Sequence, residues 1–282
     1  MLSSLKRFYK GWRWRLLTIK NALAIWSAQT LQVRNRLDLE MLECLSPIDR
    51  YVVYSGVLSN RALFDPSYAG WRLARLNKML EIYGIDYFRG RKVLELGAGH
   101  GDIGAFLADL GADVLCLEGR IQNVNFARLK HRKVSGVRFE RFNLEEDFSR
   151  FGRFDLIVHF GLLYHLRHVD DNLKCCFSMT DDVVMETAVL DATDPQRIVY
   201  CDERKDVEEE ALDGTGSRPS PFYVERIAGE SGFTVQRYFS PDLNSGDYFY
   251  YDWKHLNNER GAGSGDFRLR RFWRFQRAGR AN

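Results

Sequence analysis

The chain has 282 residues, of which 45% are hydrophobic and 28% are charged, and its net charge is +3. This length suffices for one large α/β domain with additions and hardly for two full ones, and the composition is that of a globular protein with a sizeable core. The five cysteines lack C-x-x-C spacing and a histidine cluster, which argues against zinc, and their odd number argues against a disulfide framework. We therefore expect reduced thiols, no metal site and a cytoplasmic protein.

Basic residues are concentrated at the two ends. Residues 1–36 hold eight Lys and Arg and no acid, and residues 261–282 hold six Arg against one acid. In the first segment, aromatic and aliphatic side chains recur at spacings of three and four, which predicts a basic amphipathic helix. Its role stays open between packing on the rest of the chain, peripheral contact with a membrane surface and contact with phosphates. An organellar transit peptide is a further alternative, whereas the interrupted apolar run argues against a secretory signal and a transmembrane span.

Helical patterns precede the centre of the chain. Ser46-Pro47 and Asp65-Pro66 interrupt the pattern, and apolar residues then recur at helical spacing from Trp71 to Ile82 until Gly84 ends the helix. We predict an N-terminal arm and helical cap over residues 1–88, followed by a main domain over residues 89–282.

The stretch 91–120 predicts a strand, a glycine turn, a helix and a second strand. Val93 to Leu96 is a short buried run that leads into three glycines, Gly97, Gly99 and Gly101. Apolar residues follow at helical spacing, and the next strand ends on Glu118. This order is typical of the nucleotide-binding half of a doubly wound α/β sheet.

Two cofactor classes fit this turn. The triplet Gly99, Gly101 and Gly104 matches the G-x-G-x-x-G pattern of a dinucleotide site. Alternatively, Glu95 with the three glycines from Gly97 onward matches the E-x-G-x-G-x-G pattern of an S-adenosylmethionine site. The second frame begins directly after the strand, as the turn requires.

Helices and strands continue to alternate after Glu118, which predicts a parallel sheet with its ligands at the carboxyl ends of the strands. Asn143, Gly161 and His165 all follow predicted strands, so we expect them near the glycine turn. Residues 191–221 form a long polar insertion that contains the acid-rich run 202–213, which is typical of a solvated segment. Arg218 and Tyr200 are candidate acceptor contacts within it.

The C-terminal part predicts a helix after Ser220 and two more strands. Ser220 is a candidate helix cap, with Pro221 at the first helical position. Aromatic residues between Tyr248 and Trp253 either stack on a base or sugar or pack as a strand on the core. One face of the last strand can remain solvated, so its arginines need not bind nucleic acid: Arg268, Arg270, Arg271 and Arg274.

Five segments together resemble class I S-adenosylmethionine-dependent methyltransferases: VLELGAGHGDIG, LCLEGR, FNLEED, FDLIVHFGLLYHL and VVMETAVL. The resemblance covers residues 91–190 densely and the chain after 222 more loosely. It implies a doubly wound, Rossmann-like seven-stranded sheet with an antiparallel last strand, to which the N-terminal helical arm is added. The pair GLLYHL and METAVL is similar to the branch that contains the tRNA wobble-uridine carboxymethyltransferases.

The resemblance also implies residue roles in binding S-adenosyl-L-methionine. Gly97, Gly99, Gly101 and Gly161 would form the cofactor wall, and Glu95 would hold the turn and the methionine amino group. Glu118 would bind the ribose hydroxyls, and Asn143 and Leu144 would flank the adenine.

His165 is the leading candidate for a general base, because an imidazole suits proton removal from a hydroxyl near neutral pH. A structural role in closing the pocket stays open for it, and His159 is interpreted as structural. Tyr164 and Glu186 are candidates for the acceptor site, and His100 is expected to face solvent or cofactor. We expect O-methylation of a small molecule or glycan. The alternatives are a tRNA substrate, an NAD-dependent enzyme and a non-catalytic scaffold.

Overall fold

The computed structural model describes residues 66–207, 210–244, 249–263 and 268–279. The predicted amphipathic arm and both proline breaks therefore lie at or before the start of the described residues, and membrane contact through the arm stays a prediction. Within the described ranges, every helix is too short or too polar to cross a bilayer.

A seven-stranded mixed sheet forms the centre of the domain, with the strand order β3-β2-β1-β4-β5-β9-β8. A separate two-stranded sheet pairs β6 with β7. The strands are β1 (Lys92–Leu96), β2 (Asp113–Glu118), β3 (Val137–Arg141), β4 (Leu156–Phe160), β5 (Asp182–Ala188), β6 (Ile198–Asp202), β7 (Thr215–Pro219), β8 (Phe233–Tyr238) and β9 (Arg270–Arg277). The helices are α1 (Pro66–Tyr83), α2 (Asp102–Asp109), α3 (Ile121–Lys130), α4 (Val169–Met179) and α5 (Pro221–Glu230).

Strands β1 to β5 pair in parallel, whereas β9 pairs antiparallel with both β5 and β8. The predicted Rossmann-like sheet with an antiparallel last strand is thereby confirmed. Side chains alternate between two apolar layers, so that Val93 faces the layer shared with α1, α2 and α3, while Leu94 faces the layer shared with α4 and α5. Both faces of the sheet are covered, which explains the nearly continuous apolar runs of β1 and β4.

The prediction of a solvated arginine face on the last strand is wrong for Arg270 and Arg271, whose side chains are fully buried. Strand β9 lies between β5 and β8, so both of its edges are paired, and the sheet carries an apolar layer on each face, with Phe272 in one layer and Trp273 in the other. Arg274 binds Asp182 on the neighbouring strand at 2.7 Å. The last strand therefore offers its arginines to internal partners and not to a solvated basic surface.

The predicted polar insertion contains regular structure, because residues 191–221 include the antiparallel hairpin of β6 and β7. Strand β7 reads TGSRP, a sequence with no β-branched apolar residue, which is why its pattern does not predict a strand. The helix cap at the end of the insertion is confirmed, since the Ser220 side chain accepts a hydrogen bond from the Tyr223 amide at 3.0 Å.

Candidate functional site

A pocket opens at the carboxyl ends of β1, β2 and β4, where the sequence places its candidate ligand residues. Nine of the predicted site residues line it: Glu95, Gly97, Gly99, Glu118, Asn143, Leu144, Gly161, Tyr164 and His165. Gly101 and Glu186 are absent from its lining. The pocket therefore brings these nine of the eleven predicted residues together in one cavity.

The three glycines of the turn have left-handed backbones, with φ of 69° at Gly97, 54° at Gly99 and 73° at Gly101. Apart from its chain neighbours, a Cβ added at Gly99 would meet no atom of the described residues within 4 Å, so this position faces open pocket. A Cβ at Gly101 would lie 2.1 Å from the Phe139 ring. Gly99 therefore keeps space for a ligand, whereas Gly101 keeps space for a core side chain.

Glu95 lies buried behind the turn. Its carboxylate accepts hydrogen bonds from the Gly104 amide at 2.8 Å and from the Cys116 thiol at 3.2 Å. Gly104 makes this approach possible, since a Cβ there would lie 2.6 Å from the same carboxylate oxygen. Burial raises the pKa of Glu95 from its ordinary value of 4.5 to about 7. Glu95 therefore ionises near neutral pH and provides a negative charge that a cationic ligand group would stabilise.

This shift predicts a pH-dependent stability of the ligand-free chain. Between pH 4.5 and about 7 the folded chain keeps a proton on Glu95 that the unfolded chain releases. The free energy of unfolding should therefore fall as pH rises through this interval, by up to about 3 kcal/mol from this residue. We expect urea titrations to show the loss in the wild type and not in a Glu95→Gln variant. If the free energies of unfolding of the two proteins differ by the same amount at every pH in this interval, the raised pKa of Glu95 is contradicted.

Glu118 ends β2 at the pocket wall. Its carboxylate accepts hydrogen bonds from the amides of Gly99 and Arg120, each at 2.9 Å. Burial raises its pKa above the ordinary value, although these hydrogen bonds oppose the effect. The Glu118 carboxylate therefore fixes the glycine turn and also faces the cavity. This position suits the binding of two vicinal hydroxyls.

Asn143 and Leu144 follow β3 and form the neighbouring wall. The Asn143 side-chain oxygen accepts a hydrogen bond from the Glu145 amide at 3.2 Å. The Leu144 carbonyl accepts one from Asn172 at 3.0 Å, and Asn172 also bonds the fully buried His159 at 3.0 Å. His159 is thus part of the support for this wall, in agreement with its structural interpretation.

His165 lies on the 3-10 turn Leu163–His165 after β4, and 16% of its side chain is exposed. Its Nδ1 lies 2.6 Å from the Glu203 carboxylate, which only accepts hydrogen bonds when ionised. The proton therefore lies on Nδ1 and the lone pair on Nε2. Burial lowers the pKa of His165 below 6.5, although Glu203 acts in the opposite direction. The imidazole is neutral at neutral pH.

The sequence did not predict Glu203 as a site residue, because Glu203 lies in an acid-rich run that is typical of solvent-exposed segments. Its side chain is only 2% exposed, so that interpretation is wrong for this residue. Of the two acceptor candidates in the insertion, Arg218 is fully buried and Tyr200 is 53% exposed, and neither lines the pocket.

Glu186 lies beside the pocket in a buried polar cluster. Arg75 binds its carboxylate at 3.2 Å, Arg270 binds it as well, and the Tyr251 hydroxyl donates to it at 2.9 Å. Trp71 in turn donates to Tyr251 at 2.8 Å. Because Trp71 and Arg75 line the pocket, Glu186 supports its wall from behind. Tyr251 therefore follows the core-packing alternative, while Tyr248 lies outside the described residues.

We expect this cluster to contribute strongly to stability. A Glu186→Ala substitution leaves Arg75 and Arg270 buried without their counter-charge, which should lower the free energy of unfolding by about 3 kcal/mol. The matched control is Glu259→Ala, which removes an exposed carboxylate bound to Arg197 at 2.7 Å. Urea denaturation should give a much smaller loss for the control, since exposed ion pairs contribute little. Equal losses would contradict the role of the buried cluster.

His100 does not face solvent as one interpretation allowed, because only 2% of it is exposed. Its ring packs against Phe126 at an interplanar angle of 48°, with centroids 4.5 Å apart, and it lines the pocket. Burial lowers its pKa to about 3, with the Lys130 charge acting in the same direction. Nearby Asp102 binds Arg72 and Lys130. Across the described ranges no group of three or more His, Cys, Asp or Glu side chains is arranged to hold a metal ion.

Residues 94–184 match the family model of a methyltransferase domain. No curated protein matches the sequence significantly. Among solved structures, the N-terminal domain of EvdMO1, determined in the presence of SAH and D-fucose, is similar with a TM-score of 0.55 at 20% identity, over 73% of this chain and 83% of that one. The DhpI-SAH complex is similar with a TM-score of 0.51 at 16% identity, over 82% of this chain and 96% of that one. These two likenesses show a shared fold.

The family match is to methyltransferase domains in general, so the narrower resemblance to the tRNA wobble-uridine branch is not confirmed. The sheet differs from a wholly parallel dinucleotide-binding sheet, because β9 runs antiparallel beside β5. The sequence match over residues 94–184 and this topology together support a class I S-adenosylmethionine-dependent methyltransferase.

Proposed function

We propose that this methyltransferase acts on a hydroxyl group of a small molecule or glycan. The observation that carries the proposal is the position of His165, a neutral imidazole that lines the same pocket as Gly99 and Glu118. A hydroxyl acceptor has to lose its proton during methylation, and a neutral imidazole accepts a proton efficiently near neutral pH.

The pocket residues fit the proposed cofactor. Gly99 leaves room at the turn, Glu118 suits the ribose hydroxyls, and Glu95 places a carboxylate where an amino group would be stabilised. Asn143 offers a donor and an acceptor for the adenine edge. When bound, S-adenosylmethionine supplies a methyl group that is already activated by its sulfonium.

The remaining work of the chain is to hold the acceptor, exclude water and take up its proton. His165 would accept the proton at Nε2. Tyr164 would form the acceptor wall, since its ring packs against Arg270, whose guanidinium carbon lies 4.8 Å from the ring centroid. Glu186 would keep Arg75 in place at the same wall and make no direct contact with the acceptor.

A tRNA acceptor has less support from the described residues. Arg270 and Arg271 are buried, and Arg274 and Arg277 bind Asp182 and Asp181. The last strand therefore lacks the clustered, solvent-facing arginines that bind phosphate backbones. The basic segment 1–36, on which the tRNA alternative also depends, lies outside the described residues.

The acceptor class is tested by incubating the full chain with S-adenosylmethionine and separate panels of phenols, sugars and unmodified tRNA. Release of S-adenosylhomocysteine is measured, and the methylated atom is then identified by mass spectrometry. We expect turnover with a hydroxyl-bearing small molecule or sugar, and formation of an O-methyl product. Turnover with tRNA alone, or methylation of a nitrogen, would refute the proposal.

A further inference from the structure

The hairpin of β6 and β7 is attached to the turn that carries His165. Arg218 on β7 donates to the Tyr164 carbonyl at 2.9 Å, and the Ser217 hydroxyl donates to the Leu163 carbonyl at 3.4 Å. Glu203 follows β6 directly and reaches His165 Nδ1 at 2.6 Å. The insertion therefore holds this turn through its backbone and through the imidazole itself.

The Glu203 carboxylate has a site built around it. Besides His165, it accepts a hydrogen bond from the Ala211 amide at 2.6 Å, and Arg218 lies 3.5 Å away. Gly216 on β7 leaves the space that it needs, because a Cβ there would lie 2.3 Å from a Glu203 carboxylate oxygen. A buried carboxylate with this many donors is held in one orientation.

Glu203 is ionised at neutral pH. Burial by itself would raise its pKa, but the hydrogen bonds from His165 and Ala211 and the charge of Arg218 outweigh burial and hold the pKa below its usual range. A negative charge therefore lies directly behind the imidazole, on the side away from Nε2.

We propose that Glu203 is a positioning residue that prepares His165 to take the proton of the acceptor hydroxyl. This inference rests on the proposed function, in which His165 is the base. Glu203 fixes the tautomer with the proton on Nδ1, so that Nε2 presents its lone pair. As the O–CH3 bond forms and the bond between the methyl group and the sulfonium sulfur breaks, leaving S-adenosylhomocysteine, the hydroxyl proton would pass to Nε2. The ionised Glu203 would stabilise the resulting imidazolium.

Two other charged groups near His165 favour its neutral form over the imidazolium. Arg218 on β7 and Arg270 on β9 both disfavour a proton on the imidazole, in addition to its burial. Glu203 is the neighbour that opposes them. Its removal should therefore leave His165 neutral to a lower pH and allow the other tautomer.

The same hairpin reaches the cofactor side of the pocket. Arg120 donates to the carbonyls of Lys205 at 3.0 Å and Glu210 at 3.1 Å, and Glu210 and Leu212 line the cavity. The insertion therefore belongs to the active site, because it contributes to the cofactor wall and also orients the proposed base.

The test uses a Glu203→Gln variant of the full chain labelled with ¹⁵N-histidine. Nuclear magnetic resonance titration gives the tautomer and pKa of His165, whose signals are assigned by their loss in His165→Asn. We expect the pKa to fall by about one unit or more and the Nδ1–H tautomer to lose population. With an acceptor from the panel, methyl transfer should slow by about tenfold or more.

Two further variants keep the test decisive. Asp202→Asn removes the neighbouring exposed charge, which does not contact His165, and should leave the titration unchanged. Gly216→Ala keeps the Glu203 charge, but its Cβ would lie 2.3 Å from the Glu203 carboxylate and 2.7 Å from the Tyr164 carbonyl. It displaces the carboxylate from the His165 turn and should shift the titration in the same direction as Glu203→Gln. Unchanged binding of S-adenosylhomocysteine shows that each variant is folded.

The inference is overturned when His165 titrates alike in Glu203→Gln, Asp202→Asn and the wild type, whatever the activity. Failure of the proposed function gives a different result. In that case the His165 titration shifts as expected in Glu203→Gln, but His165→Asn retains full methyl transfer. The contact between His165 and Glu203 would then exist without a role in proton removal from the acceptor.

Discussion

Replacing Gly99 with arginine is expected to abolish the binding of S-adenosylmethionine. The backbone at Gly99 has φ of 54°, and a side chain there would project into the open pocket. An arginine side chain would occupy the space left for the ligand and would place a positive charge beside the positive sulfonium. We expect the affinity to fall by at least about 10²-fold, or about 2.7 kcal/mol, in equilibrium dialysis with radiolabelled cofactor.

The matched control is Gly232→Arg. Gly232 also has a positive φ, of 80°, and apart from its chain neighbours a Cβ there would meet nothing in the described part of the chain within 4 Å. Both substitutions put a side chain on a positive-φ backbone, which costs stability, but Gly232 is exposed and does not line the pocket. The control should bind the cofactor like the wild type. Retained binding in Gly99→Arg would show that the turn does not form the cofactor wall.

A His165→Asn variant is expected to lose about 10²- to 10⁴-fold in methyl transfer while binding S-adenosylmethionine nearly as tightly as the wild type. Asparagine keeps a polar side chain at the pocket but does not act as a base near neutral pH. The wild-type rate should rise as pH rises through the pKa of His165, which lies below 6.5, and then stay level. Single-turnover kinetics across this range with an identified acceptor measure both effects.

His168→Asn is the control for this variant. His168 also contacts a carboxylate, at 3.1 Å from Glu145, but its side chain is 55% exposed and does not line the pocket. It should retain wild-type transfer and the wild-type pH profile. Loss of activity in both variants, or in neither, would contradict a specific role of His165 as the base.

The part of the site that follows from local sequence was predictable. Gly97 and Gly99 follow directly on a buried strand, and Glu118 ends the next one, so the topology of a parallel sheet alone places them together. Gly101 shows the limit of this reasoning. Its pattern predicts a cofactor contact, whereas its surroundings show that it makes room for Phe139, a residue whose proximity only the folded chain reveals.

The burial of two charged residues, Glu203 and Arg270, could not be predicted from the sequence, because it depends on long-range contacts. Glu203 reaches His165 across 38 positions of sequence, and the acid-rich run around it is typical of a solvated segment. Arg270 is buried against the Glu186 carboxylate of β5, a contact that no periodicity within β9 reveals. In both cases, burial of a charge depends on a partner elsewhere in the chain, so propensity and local pattern favour an exposed position.

The most direct test of the account is calorimetric titration of the full chain with S-adenosylmethionine and, separately, with NAD. The two ligands distinguish the two motifs that the glycines after β1 can match, the S-adenosylmethionine pattern and the dinucleotide pattern. The account predicts saturable, one-to-one binding of S-adenosylmethionine and no binding heat with NAD. Binding of NAD without binding of S-adenosylmethionine would contradict the assignment of this pocket as the site of a methyl donor.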